Sequence, residues 1–249
     1  MNSDLLTPSQ TNRWLKPHSH TSSVTVSVGA PWEIYRANTL TLDGRTIDIY
    51  TKDGGIGEYG SFLALVPDYN ITVTLLTAGS TIDLAEPVER ALRAMIPAVD
   101  KAARDDASAK YVGLYEDKSS KSNMSIALTD AGLRVESLFN NGKDILSAYA
   151  SVFQPFELDI YPTGLVYGIK SGDKESVIKQ SSEGESWRGV YNFINQPYDG
   201  FLRQCTTWAG LDGNVYGQKA LDEFVFETNA KDKVVSVRNS ALRTVLANQ

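Results

Sequence analysis

The hydrophobic pattern of this chain changes its period twice, and this limits the folds that the chain can adopt. From about residue 22 to 78, β-branched and aromatic residues alternate with polar ones between short turn sequences, as in antiparallel strands. From about residue 86 to 109, apolar residues recur every three or four positions, as on one face of a helix. After Tyr111, short and evenly spaced strand patterns return. The sequence therefore predicts two β regions separated by a helical region.

The first β region predicts a partial antiparallel sheet. Its most apolar runs, residues 62–66 and 73–76, indicate strands that are buried on both faces. Pro97 predicts a break in the helical region, because proline removes a backbone donor and clashes with the preceding turn. We therefore expect one helix over residues 86–96 and a second, heavily charged one over 98–109. The second helix is interpreted as a solvated linker between domains.

The second β region predicts a small antiparallel barrel or sandwich, because short strand patterns alternate with Asn-Gly, Ser-Gly-Asp and Asp-Gly turn sequences. The last residues, 239–249, are compatible with a short closing helix. The fold class is α+β. The predicted domains are residues 1–105, a sheet with a helix at its end, and residues 106–249, an all-β domain.

Composition excludes several functions. The net charge of −6 and the lack of a Lys/Arg cluster argue against a nucleic-acid partner. No apolar run approaches the roughly 20 residues of a membrane-spanning helix. The first 20 residues show no signal peptide, so we expect a soluble protein and leave its compartment open. With one cysteine and two histidines, we expect no disulfide, no metal site and no cofactor.

Residues 52–67, KDGGIGEYGSFLALVP, are the most informative stretch. Lys52, Asp53 and Gly54 precede a glycine-rich turn, and an apolar strand follows that ends at Pro67. Glycines in such density allow a sharp turn or the close approach of another group to the backbone. A tight hairpin and a ligand-binding strand edge both fit this pattern.

This stretch resembles the Lys-Thr-Gly strand of class C β-lactamases and related serine penicillin-recognising enzymes. Together with YVGLYED, IYPTGL, WRGV, DEFVF and SALRTVL further along, it resembles the fungal β-lactamase-related proteins, which carry an all-β domain after a transpeptidase-like domain. The resemblance implies a remnant of the transpeptidase-like domain in residues 1–105 and a barrel-like, lipocalin-like accessory domain in residues 106–249. It also implies that Lys52, Asp53 and Gly54 form the edge of a substrate pocket.

One residue departs from the family pattern. Asp53 stands where the family has threonine or serine, whose hydroxyl binds the substrate carboxylate. An aspartate at this position would repel the same anion. Recognition of a β-lactam carboxylate is therefore not expected here.

The serine chemistry of the family needs a Ser-x-x-Lys motif and a Tyr-x-Asn or Ser-x-Asn element, and both should precede the Lys-Thr-Gly strand. The residues before Lys52 contain neither. Ser171 to Lys174 and Ser176 to Lys179 have the spacing, but they follow the strand in a turn-rich region and are interpreted as chance matches. No complete catalytic set is therefore expected in this chain.

Three interpretations of function remain from the sequence. The first is a truncated hydrolase or acyltransferase of fungal metabolism that acts on a small-molecule ester or amide once the missing part is supplied. The second is a non-catalytic binding or interaction module, a pseudoenzyme in which the all-β domain does the work. The third is an accessory protein of a fungal secondary-metabolite gene cluster. In each case, apolar strands left uncovered on one face predict a protein partner.

Overall fold

Two units divide this protein, Met1–Ala103 and Arg104–Gln249, and both are built mainly from antiparallel strands. The structure is a computed structural model that describes residues 5–79, 83–152, 154–167, 184–194 and 206–249. The helices described are α1 (Pro8–Trp14), α2 (Ala85–Tyr111), α3 (Ile145–Val152) and α4 (Thr206–Ala209), and a 3-10 turn covers Pro67–Tyr69.

The strands of the first unit are β1 (Ser19–His20), β2 (Val26–Val28), β3 (Glu33–Ala37), β4 (Ile47–Ile56), β5 (Tyr59–Val66) and β6 (Ile71–Ala78). Those of the second are β7 (Gly113–Asp117), β8 (Ser122–Thr129), β9 (Gly132–Asn140), β10 (Lys143–Asp144), β11 (Phe156–Tyr167), β12 (Gly184–Phe193), β13 (Val215–Tyr216), β14 (Lys219–Ala220), β15 (Glu223–Thr228), β16 (Val234–Asn239) and β17 (Thr244–Asn248).

The first unit is a six-stranded sheet in which the strands pair in chain order from β1 to β6. Alternate residues of its central strands bury one face against helix α2. This core contains Ile47, Ile49, Ala64 and Val66 from the sheet and Val88, Leu92 and Ile96 from the helix. On the opposite face, Trp32, Ile34 and Tyr50 form a smaller cluster, against which Leu15 packs directly after α1. Both faces of β4 are therefore covered at this end of the sheet.

Strand β6 corrects the expectation that residues 73–76 are buried on both faces. Its residues alternate between half-buried and exposed, and Leu76 is 73% exposed. The reason is its position, because β6 is the last strand in the sheet order and only its Val73 and Leu75 face contributes to the core with α2. The face that carries Thr72, Thr74 and Leu76 is left to solvent in the described part of the chain.

Helix α2 corrects the expected break at Pro97, which lies inside one continuous helix. A proline in a helix interior costs about 3 kcal/mol because it removes one hydrogen bond and crowds the preceding turn. Contacts on both sides of Pro97 offset this cost. Ile96 is fully buried against the sheet, and Asp100 accepts a hydrogen bond of 2.5 Å from the Tyr69 hydroxyl. The boundary between the two units falls within this helix.

The sheet of the second unit closes on itself. The strands β7, β8, β9, β11, β12, β15, β16 and β17 each pair with the next, and β17 pairs with β7 through Ala247 and Glu116. The short strand β10 adds to the side of β9. The prediction of a closing helix over residues 239–249 is wrong. This segment turns at Arg243, whose φ is 56°, and forms β17, because its backbone pairs with β16 on one side and with β7 on the other.

Large side chains fill the core of the second unit. Tyr115, Met124 and Phe226 are at most 1% exposed, and the Phe226 ring lies 5.7 Å from that of Trp187. A cavity among core residues such as Leu138 and Tyr191 has a volume of only about 10 Å³. That volume is at the lower limit for a single water molecule.

The end of α2 packs against this second core, whereas most of residues 98–109, the expected solvated linker, are exposed. Tyr111 is buried among the core aromatics, and Ala107 packs against the same cluster. Lys110 donates hydrogen bonds to Glu185 at 2.8 Å and to Asp232 at 2.9 Å, and the Tyr111 hydroxyl donates to Glu185. These contacts fix the last turn of the helix to strands β12 and β15–β16.

Candidate functional site

The candidate site is the part of β4 that continues beyond the end of β3. Strands β3 and β4 pair from Ala37 and Ile47 up to Glu33 and Thr51, whereas β4 and β5 remain paired up to Ile56 and Tyr59. From Lys52 onward, β4 has a strand partner on one side only in the described part of the chain. Lys52, Asp53 and Gly54 thus lie at the start of an open strand edge.

The hairpin register shows which backbone groups this edge presents. Ile56 and Tyr59 flank a two-residue turn, Gly57 and Glu58, with Gly57 at a φ of +58°. In such a hairpin the flanking pair is hydrogen-bonded, and bonded and non-bonded pairs then alternate. Asp53 and Gly55 therefore direct their backbone N–H and C=O groups away from β5, toward the open side.

The Lys52 ammonium is held between two carboxylates. It donates to Glu33 Oε1 at 2.5 Å and to Asp53 Oδ1 at 3.0 Å, while its side chain stays 42% exposed. The hydrogen bonds to Glu33 and then to Asp53 raise the pKa of Lys52 above its usual value. In turn, the hydrogen bond from Lys52 lowers the pKa of Asp53. With its pKa raised, Lys52 is a protonated cation at neutral pH and not a neutral base.

Gly54 lies on the same strand face as Lys52 and opposite Ser61 of β5. The Ser61 hydroxyl donates to the Gly54 carbonyl oxygen at 3.2 Å, and a Cβ at Gly54 would lie 3.1 Å from that hydroxyl oxygen. A side chain at this position would therefore crowd Ser61. The absence of a Cβ keeps this strand face flat beside the Lys52 ammonium.

Glu33 is the residue that sequence reasoning missed. It precedes Lys52 by 19 positions and joins it only because Glu33 and Thr51 form the last pair between β3 and β4. A signal was present in the sequence, since two adjacent antiparallel strands joined by the Asp43-Gly44 turn bring their far ends together. The chance matches Ser171 to Lys174 and Ser176 to Lys179, and also Cys205, lie outside the described residues.

Two general findings bear on this site. Over the described residues, no cluster of three or more His, Cys, Asp or Glu side chains has the arrangement that a metal ion needs. Likewise, none of the helices in that part of the chain is both long and apolar enough to cross a membrane.

The open strand edge with its Lys-x-Gly sequence, the glycine-rich hairpin and the separate all-β unit agree with the resemblance to β-lactamase-related proteins. Comparison with known families agrees. The family described as "Beta-lactamase-like-like, C-terminal domain" matches residues 103–249, which is more than half of the chain. The chain belongs to this family.

Relatives match nearly the whole chain. A beta-lactamase-like protein of Arthroderma benhamiae is 33% identical over 272 residues, covering 96% of this chain and 44% of the relative. A probable hydrolase of Cochliobolus lunatus is 27% identical, covering 96% of this chain and 40% of its own length. The chain thus spans less than half the length of these relatives.

Among solved structures, the octameric penicillin-binding protein homologue from Pyrococcus abyssi is similar over 78% of this chain and 42% of its own length. The TM-score is 0.32 and the sequence identity is 11%. A likeness at this level carries no structural argument.

Proposed function

We propose that this chain forms one wall of the acyl site of a serine hydrolase or acyltransferase whose Ser-x-x-Lys nucleophile lies outside these 249 residues. One observation carries the proposal: the Lys52 ammonium stands at the point where β4 becomes an open edge. The family membership and the hydrolase name of one relative support the class of reaction. Residues 1–105 would then be the end of a transpeptidase-like domain and residues 106–249 an accessory barrel of lipocalin-like form.

The chemistry of the edge suits acyl transfer. Because its pKa is raised, Lys52 stays protonated and would stabilise both an ionised serine and the negative charge that develops on the carbonyl oxygen. The backbone N–H group of Asp53, directed to the open side next to Lys52, would act as a donor to the same oxygen. The serine oxygen would form a bond to the acyl carbon while the bond to the alcohol or amine breaks, and the serine proton would pass to that leaving group through a base outside these 249 residues.

The charge balance of the edge favours a neutral or cationic ester or amide as the substrate. Glu33 and Asp53 together outweigh Lys52 by one negative charge. Asp53 is 62% exposed at its side chain, so it faces an arriving molecule directly. A substrate carboxylate would be repelled here, whereas an amine or an uncharged group would not.

The alternative, a non-catalytic module that binds a ligand inside its all-β unit, has less support. The core of that unit is filled by side chains such as Tyr115 and Phe226, and the cavity described among its residues is about 10 Å³. An interaction role for the sheet fits better, since Thr72, Thr74 and Leu76 present an uncovered face to a protein partner. The fungal relatives extend the proposal to fungal small-molecule metabolism.

Replacing Lys52 by Ala tests the proposed function in a chimera in which residues 1–249 replace the matching part of the Arthroderma benhamiae relative. We expect kcat/KM for a neutral ester to fall about tenfold or more, because the cation beside the developing oxyanion is lost. Circular dichroism should show an unchanged fold, since Lys52 is 42% exposed. The matched control is Lys118→Ala, whose side chain is 81% exposed in the second unit. Equal kcat/KM values in both variants would contradict a role for Lys52.

A further inference from the structure

A cavity of about 480 Å³ lies on the α2 side of the first sheet. Its apolar lining comes from both layers and includes Leu40, Ile49 and Phe62 from the sheet side and Val88 and Leu92 from α2. Small-molecule sites commonly occupy about 300–1,000 Å³ and are mostly apolar with a few polar groups. The cavity has the size and the lining of such a site.

The charges around the cavity are already neutralised. Its charged lining residues are Arg36, Glu89 and Arg93. Arg93 pairs with Glu89 at 2.5 Å, whereas Arg36 pairs with Asp48 at 3.0 Å on the sheet face opposite Ile47 and Ile49. A ligand that carried a net charge would have to break one of these pairs or enter an apolar space without a counter-ion, which is costly. The cavity therefore favours an uncharged molecule.

Threonine side chains supply the polar groups that would orient a ligand in the cavity. Thr51 is 3% exposed and donates its hydroxyl proton to the Glu33 carbonyl at 3.0 Å, which leaves its oxygen as an acceptor. Thr25 and Thr39 also line the space. Thr51 and Asp53 share one strand face, and Phe62 is the cross-strand partner of Asp53, so the cavity lies on the face adjoining the open edge.

We propose that this cavity is a binding site for an uncharged, largely apolar aromatic small molecule, with the Thr51 oxygen as an acceptor for any hydroxyl group that the molecule carries. The site is distinct from the Lys52 edge and goes beyond the proposed acyl transfer. Its ligand would lie between the sheet and the first two turns of α2. Binding requires neither a nucleophile nor any residue outside the first unit.

The test uses the 249-residue chain and Nile red, an uncharged apolar dye whose fluorescence rises in apolar surroundings. We expect saturable binding with one dye per chain. Ala85→Trp and Thr39→Trp each place a large ring at an exposed position that lines the cavity, and each should weaken binding about tenfold or more by occupying it. The matched control, Ala94→Trp, adds the same ring to an exposed position of α2 outside the lining and should bind as the original chain does.

Three results would overturn this proposal. They are a lack of saturable binding to the original chain, equal binding by both cavity variants and the control, and equally tight binding of an anionic naphthalene sulfonate dye. Both Ala85→Trp and Thr39→Trp are used so that, if circular dichroism shows that one of them folds poorly, the other still tests the proposal. Because binding is measured without hydrolysis, failure here would leave the role of Lys52 untouched.

Discussion

The 249-residue chain by itself is expected to form no covalent adduct with a fluorescent penicillin and to leave a chromogenic β-lactam and a simple ester unhydrolysed. The proposed reaction needs a Ser-x-x-Lys nucleophile, and the residues before Lys52 contain no such motif. Loss of the nucleophile typically lowers the rate by about a millionfold, which would bring it to background. Gel fluorescence after denaturation and initial-rate assays give the two measurements.

The control for this result is the chimera with the Arthroderma benhamiae relative, which should hydrolyse the ester if the front part supplies the nucleophile. An adduct on the isolated chain that survives denaturation would contradict the proposed division of the site. An inactive chimera beside an active unmodified relative would also contradict the proposed division of the site. In that case residues 1–249 would not form one wall of the acyl site.

A large loss of stability is expected for Phe226→Ala. Phe226 is fully buried, and its ring lies 5.2 Å from that of Tyr111 and 6.1 Å from that of Tyr115. Removing a ring from such a core lowers the free energy of unfolding by about 3–5 kcal/mol, through lost transfer energy and the remaining cavity. Guanidinium unfolding of the whole chain, followed by circular dichroism, gives the measurement.

Leu114→Ala is the matched control for this effect, because Leu114 lies on β7 of the same sheet but is 46% exposed. Its expected loss is below about 1 kcal/mol. A loss of similar size in both variants would mean that the ring of strands is not closed around a packed core at Phe226.

The strands were predictable where local pattern and turn chemistry agree. The strand pattern of residues 47–51 and the apolar run of residues 62–66, with the Gly57-Glu58 turn between them, are sufficient to predict the β4–β5 hairpin. The helical period of Val88, Leu92, Met95 and Ile96 was equally visible. Val88, Leu92 and Ile96 do face the sheet, whereas Met95 is 40% exposed. In each case the residues that decide the structure are neighbours in sequence.

The errors concern contacts between distant residues. Pro97 predicted a break because the local cost of proline is visible, whereas the offsetting contacts of Ile96 and Asp100 arise only in the folded unit. The last strand, β17, was missed because residues 239–249 also fit a short helix locally, and only one of its two partner strands, β16, is close in sequence; the other, β7, is far away. Glu33 was missed for the same reason, since its role depends on the register of β3 against β4.

The central claim is that the strand edge at Lys52 borders the acyl site. Its most direct test compares the substrate selectivity of the chimera with and without Asp53→Thr. The measurement is the ratio of kcat/KM for two esters that differ only in carrying a carboxylate or an amine. Asp53 is exposed beside Lys52, so its removal should raise this ratio roughly two- to fivefold in favour of the anionic ester, the range of exposed charge pairs. An unchanged ratio would contradict the claim and leave the Lys-Asp-Gly strand as a hairpin edge only.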